Sequence, residues 1–252
     1  MNIDINKIKN IEKEKKKAKA FSENVLLSSF ISIINNVIEM GSKMNVLEMA
    51  MFIDSMQSWI NNRGKKKSSK KCSPGTIVEV DLGLSYKTET PYRHSALVIK
   101  EYQNKVLIVP STSRKDFLKV AYHPVDNMNG EQTFRKVGKE DCFDHDCVLV
   151  LNDFKIVSKN RIMSTCGTVD TTSENCLYKE IRNTIMNDVF SDEISVYKSQ
   201  ISNLECTINS YKETVYKKKN IIDALYKKIE LLEGNTKPQT KFRKYSKREK
   251  RY

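Results

Sequence analysis

Apolar positions recur every three or four residues through the first sixty positions. Ile11, Ala18, Phe21, Val25, Leu26, Phe30, Ile33, Ile34 and Val37 predict one helix over 4–41, stopped by Gly41-Ser42. Leu47, Met51, Ile53, Met56, Trp59 and Ile60 predict a second over about 45–61, with Asn45 or Ser42 as its cap. Residues 1–62 therefore read as a helical hairpin. The period then shortens. Thr76–Leu82 alternates as a half-buried strand should, and Ser95–Ile99 and Lys105–Val109 are short β-rich runs joined through Glu101–Asn104. Phe117–His123 reads as a further strand, 126–130 as a turn and Cys147–Leu151 as a buried strand. Lys155–Val157 is extended, Ser158–Arg161 a helical turn and Met163–Val169 the closing strand.

Several short strands at this spacing predict a small antiparallel barrel over 74–172. Residues 174–190 look helical, and heptads follow. Positions 194, 201, 208, 215, 222 and 229 are all Ile or Val. Positions 197, 204, 211, 225 and 232 are Tyr or Leu, with Lys218 interrupting that series. β-Branched residues at a with Leu at d suit a parallel two-stranded coiled coil. A long helix lying on the N-terminal helices of its own chain fits the same stripe. Gly234-Asn235 ends the helix within 174–234, and Pro238 prevents its return. The fold class expected is α+β: a small SH3-like antiparallel β-barrel flanked by an N-terminal helical hairpin and a long C-terminal coiled-coil helix.

Charge changes the picture by its placement. The net charge is +13. Residues 1–70 hold 13 basic and 7 acidic groups, residues 71–175 hold 14 of each, residues 176–234 hold 9 of each and residues 235–252 hold 8 and 1. A basic chain attracts polyanions such as RNA or DNA, and here that pull comes from outside the barrel. The apolar-free stretch Asn61–Lys71 marks a flexible basic linker at 63–73, and 235–252 reads as a basic disordered tail. None of the six cysteines forms a Cys-x-x-Cys pair, so they read as reduced cytosolic thiols. The longest apolar candidate, Val25–Val37, is broken by Ser28, Ser29, Ser32, Asn35 and Asn36. The expectation is a cytoplasmic protein with no membrane span. Asp141-Cys142-Phe143-Asp144-His145-Asp146-Cys147 is dense in metal-ligand types, but no second Cys/His pair lies nearby, and it reads as an acidic loop. No phosphate-loop glycine pattern occurs, and no metal or cofactor is expected.

Three segments resemble, in order and spacing, the PemK/MazF family of toxin ribonucleases. The first runs from Pro74-Gly75-Thr76-Ile77-Val78-Glu79-Val80-Asp81-Leu82 to Tyr92-Arg93-His94-Ser95-Ala96-Leu97-Val98-Ile99. The second is Val109-Pro110-Ser111-Thr112-Ser113. The third is Val148–Ile162, ending at Gly167. Together they cover roughly 95 residues. The resemblance implies metal-independent cleavage of single-stranded RNA within a type II toxin–antitoxin system. The 2′-hydroxyl would attack the adjacent phosphate, leaving a cyclic phosphate and a free 5′-hydroxyl. Such a step needs a base, an acid and donors for the phosphorane charge.

Thr112 occupies the family's Thr slot, where its alternative role is to satisfy local backbone. His94 stands where the family has Arg, and Ser95 where it has Pro. Histidine suits general acid–base work. Arg93 would supply phosphate charge, although neighbouring strand residues face opposite ways unless a bulge intervenes. Ser113, Arg114, Lys155, Ser158, Lys159 and Arg161 are the expected RNA contacts; for the last four a solvated basic turn is the plain alternative. The partners implied are RNA, an antitoxin protein and a second copy of the chain, joined through the barrel, the coiled coil or both. Two other functions fit the same residues: a catalytically inactive DNA- or RNA-binding protein, and a coiled-coil scaffold carrying an inert barrel.

Overall fold

The computed structural model describes residues 3–65 and 70–234, so residues 66–69 of the predicted linker and the predicted tail lie outside the described residues. The chain divides into two units, Met1–Val189 and Phe190–Tyr252.

The first unit opens with helix α1 (Ile5–Glu14), whose first turn is capped by Asp4 Oδ1 accepting from the Asn6 and Lys7 amides. The single helix predicted over 4–41 breaks here. Extending it would stack Lys13 under Lys17 and Lys15 under Lys19, like charges one turn apart. The chain instead turns, Lys15 pairs with Glu23 at 3.0 Å, and Phe21 meets Phe30 with ring centroids 6.2 Å apart. Helix α2 (Asn24–Gly41) follows. Its 18 residues, of mean hydropathy 1.2, meet the length and composition needed to cross a membrane, contrary to the expectation that no apolar run would. Helix α3 (Val46–Asn62) starts at a capping box in which Asn45 and Glu48 each accept the other's amide. A side chain at Gly41 would stand 2.7 Å from the Met49 methyl group, so glycine lets the two helices meet.

The barrel strands are β1 (Thr76–Asp81), β2 (Arg93–Glu101), β3 (Lys105–Thr112), β4 (Ala121–Tyr122), β5 (Glu131–Val137), β6 (Cys147–Val150), β7 (Lys155–Ser158) and β8 (Ile162–Thr168). Their order is β4-β5-β6-β3-β2-β1-β8, antiparallel except for β4–β5. Strand β3 forks: Lys105–Ile108 pair with β7, and Ser111–Thr112 pair with β6. The central strands are consequently buried on both faces. Val78, Val80, Ala96, Val98, Val106 and Ile108 pack with Val157 and Ile162, while Ile77, Leu97, Ile99 and Val109 pack with Val137, Leu149 and helix α5 (Leu177–Val189). Each such side chain contributes about 1.5–3 kcal/mol when fully buried. Tyr178 and Ile181 seat α5 in that second core; the Tyr178 hydroxyl donates to the Ile99 carbonyl at 2.7 Å, and Arg135 meets Glu180 at 2.6 Å.

Two local readings change. Phe117–His123 is not a strand; Lys115–Val120 forms helix α4, which lays Phe117 edge-on against Phe134 at 4.8 Å before the two-residue β4. Strand β5 has no counterpart in the predicted set, because one of its two buried residues, Arg135 beside Val137 in the alternation, is charged and hides the apolar pattern.

The second unit is described by one helix, α6 (Ser191–Gly234), 44 residues long with no buried residue. From Ile201 onward its apolar a and d side chains are 47–67 % exposed.

Candidate active site

Strand β1 ends at Asp81, and the chain reverses through a loop fixed at both ends. The Leu82 amide donates to the Tyr92 carbonyl and the Tyr92 amide to the Gly83 carbonyl, each at 2.7 Å. Gly83 has φ +80, a backbone geometry where a side chain would be strained, and Tyr92 holds φ 57. The loop is also tied to the segment between β6 and β7, where the Thr90 amide donates to Asp153 Oδ2 at 2.9 Å.

This loop delivers His94 at the head of β2, opposite Val80. Its Nδ1 lies 2.8 Å from the Ser111 carbonyl oxygen. A carbonyl only accepts, so Nδ1 carries the hydrogen and Nε2 is left with the lone pair of a base. Ser111 is itself held: it is 4 % exposed, its hydroxyl donates to the Ser95 carbonyl at 3.0 Å, and it neighbours the Cys147 thiol. Burial pushes that thiol up to about 11, so it stays protonated. Burial also holds the His94 pKa below the usual 6.5; its bond to Ser111 and the charge of Asp153 oppose that effect, while Lys155 adds to it. His94 is neutral at pH 7.

Continuing the Ala96–Pro110 register by two residues sets Thr112 across from His94. The Thr112 side chain is 8 % exposed. Its Oγ1 accepts from the Arg114 amide at a long 3.4 Å, leaving the hydroxyl hydrogen to donate. Ser113 and Arg114 follow as exposed residues, and Arg114 pairs with Asp116 at 2.5 Å. Lys155 approaches His94 from β7 and pairs with Asp153 at 2.9 Å. The arrangement thus brings together His94, Thr112, Lys155 and, at its rim, Ser113 and Arg114.

It does not bring Arg93 in. Arg93 points to the other face of β2, where it meets Asp54 of α3 at 2.8 Å and Glu79 at 3.7 Å. The irregularity in β2 falls between Val98 and Lys100, too far along to turn Arg93 toward His94. Nor does Lys159 lie open to RNA. It is 7 % exposed and pairs with Glu101 at 2.5 Å, closing the barrel between β7 and β8. Arg161 donates to the Asp81 carbonyl at 3.0 Å, and Ser158 accepts from the Asn160 amide at 3.2 Å. Both line a cavity of about 470 Å³ between α3, the Asp81–Leu84 segment and the 159–161 turn.

Sequence reasoning passed over Ser111 and Asp153, although both sit inside the motifs, because a serine and an anionic carboxylate do not signal phosphate binding. The third motif contains Asp153 two residues before Lys155, a spacing that itself signals the pair.

The sequence matches no protein-family model and no curated protein. Among solved structures, the chain is similar to the Mycobacterium tuberculosis toxin MazF-mt6, at 12% identity over 44% of this chain and 93% of that one, with a TM-score of 0.31. It is also similar to an endoribonuclease in complex with its cognate antitoxin from a mycobacterial species, at 14% identity over 46% of this chain and 93% of that one, with a TM-score of 0.32.

Proposed function

We propose that the barrel is a metal-independent endoribonuclease acting on single-stranded RNA, the toxin of a type II toxin–antitoxin system. The observation that carries the reading is His94, its Nδ1 hydrogen committed to Ser111 and its register position across from Thr112, within a chain whose three motifs resemble PemK/MazF toxins. His94 Nε2 takes the proton of the RNA 2′-hydroxyl as that oxygen attacks the adjacent phosphorus. The P–O5′ bond breaks as the P–O2′ bond forms, and the 5′-oxygen leaves with a proton returned from the imidazolium. Thr112 donates to a phosphate oxygen, and Lys155 and Arg114 balance its charge. The reduced thiols suit a cytoplasmic setting, and an antitoxin protein is the expected partner.

Two copies join along α6 as a coiled coil. In a parallel pair Glu193 of one copy meets Lys198 of the other, and Lys228 meets Glu233, while no g–e′ pair is like-charged. The two Lys218 side chains share one layer and weaken the seam there.

The test is incubation of the full chain with single-stranded RNA in EDTA. Products with cyclic-phosphate and 5′-hydroxyl ends, lost in His94→Ala and Thr112→Val, support the reading. A second reading, a catalytically inactive DNA- or RNA-binding protein, is favoured by the engagement of Arg93 with Asp54 and of Lys155 with Asp153. RNA that stays intact but is bound with a steep salt dependence would establish it.

A further inference from the structure

We propose that the cavity between α3 and the barrel holds one nucleotide of single-stranded RNA, with an N–H of the base on Asp81 Oδ2 and its ring on Trp59. The inference rests on the RNA reading above and names a second contact for the same substrate, on the face of β1 opposite His94.

Asp81 is the starting point. The residue is 5 % exposed. Its Oδ1 accepts twice, from the Ser55 hydroxyl at 2.7 Å and the Gly83 amide at 3.0 Å. Among the described residues, no donor reaches Oδ2. Arg161, the nearest guanidinium, donates to the Asp81 main-chain oxygen instead. No buried side-chain oxygen among the described residues lacks a partner, so Oδ2, which no donor reaches, is open to the cavity that Asp81 lines. The site is therefore complementary to an N–H group arriving from the cavity.

The walls say what carries that N–H. Trp59 lines the cavity with its ring 49 % exposed, and the Arg63 guanidinium lies 5.1 Å from its centroid. Neither Arg63 nor Arg161 has a carboxylate partner among the described residues. One aromatic platform, two guanidinium groups without a carboxylate partner among the described residues and one open acceptor suit a flat, N–H-bearing ring attached to a phosphate. A volume of about 470 Å³ lies within the usual range for small-ligand clefts.

Trp59 is the only tryptophan in the chain, so binding is read directly from its fluorescence. The full-length His94→Ala variant, which removes the proposed base, is titrated with short oligoadenylate. Saturable quenching is expected, and inorganic pyrophosphate at the same charge should produce little. Asp81→Asn keeps an oxygen for Ser55 and Gly83 but turns the Oδ2 position into a donor. It should weaken binding by about tenfold to a hundredfold, the usual worth of a hydrogen bond to a charged group. Trp59→Ala, followed by anisotropy of labelled RNA, should weaken it comparably. Absence of quenching at millimolar RNA, equal quenching by pyrophosphate, quenching by a polypeptide alone, or unchanged affinity in a folded Asp81→Asn protein each overturns the proposal. Cleavage by the parent chain is scored separately. Cleavage without quenching refutes this site alone, and quenching without cleavage refutes the nuclease reading alone.

Discussion

Replacing His94 by Ala should separate chemistry from stability, because the two costs differ in size. The side chain is half-buried and makes one neutral hydrogen bond, to the Ser111 carbonyl at 2.8 Å. Losing that bond and part of the ring's packing removes about 1–2 kcal/mol. A domain of about 5–15 kcal/mol stability would remain about 99% folded after such a loss. A positioned general base is worth about 10²–10⁴ in rate, equivalent to about 2.7–5.5 kcal/mol of barrier. Cleavage of a fluorophore–quencher RNA should therefore fall by that factor while the thermal melt shifts only modestly. The parent's pH profile supplies the second half. The His94 pKa lies below its usual 6.5 in the folded chain, so the fold binds fewer protons there than the unfolded chain does. The stability contributed by neutral His94 is complete above pH 6.5 and is lost as pH falls through the folded-state value. As a base His94 must be neutral, so activity should fall over the same acid range. An activity within threefold of the parent for a folded His94→Ala protein, or a rate that rises on acidification, would refute the assignment of the base.

Thr112→Val keeps the volume and removes the hydroxyl; turnover should drop about 10²–10³-fold, as for loss of one transition-state donor, with the melt within about 1 kcal/mol of the parent. Arg135→Ala strips Glu180 of its partner between β5 and α5 and should cost about 2–4 kcal/mol in urea unfolding; a cost below 0.5 kcal/mol would show that the pair does not hold α5. Lys218→Leu completes the d series of α6 and should strengthen self-association in sedimentation. A chain ending at Val189, which spares Tyr178 and Ile181, should lose it. If neither change affects the oligomer, α6 is not its seam.

Most of the fold was legible where one residue type did one job. Strands β1, β2, β3, β6 and β7 follow runs of Val, Ile and Leu, and α6 follows its heptads. The cap at Asn45, immediately before Val46-Leu47, announces α3. Legibility failed where a side chain served a distant partner. Phe117 reads as β-prone until Phe134 is there to receive it, and Arg135 reads as solvent-facing until Glu180 arrives from α5. The single helix over 4–41 failed for an electrostatic reason, the lysine ladder from Lys13 to Lys19. At the site, alternation foretold that Arg93 and His94 would part, yet nothing local to Arg93 names Asp54 as its partner. Lys159 was misread as an RNA contact because a buried lysine is visible only through Glu101, 58 positions away.

The pairing of β1 with β8 has a consequence for how the chain folds. Thr76 meets Thr168, so closing that edge joins positions 92 residues apart and costs about 4 kcal/mol in loop entropy, against about 1.4 kcal/mol for the β2–β3 hairpin. During synthesis β1, β2 and β3 can zip as each emerges, while the outer edge of β1 waits until β8 has left the ribosome. Throughout that interval Val78 and Val80 have their later neighbour missing, and Glu79 between them is the charge that discourages a second nascent chain from pairing there.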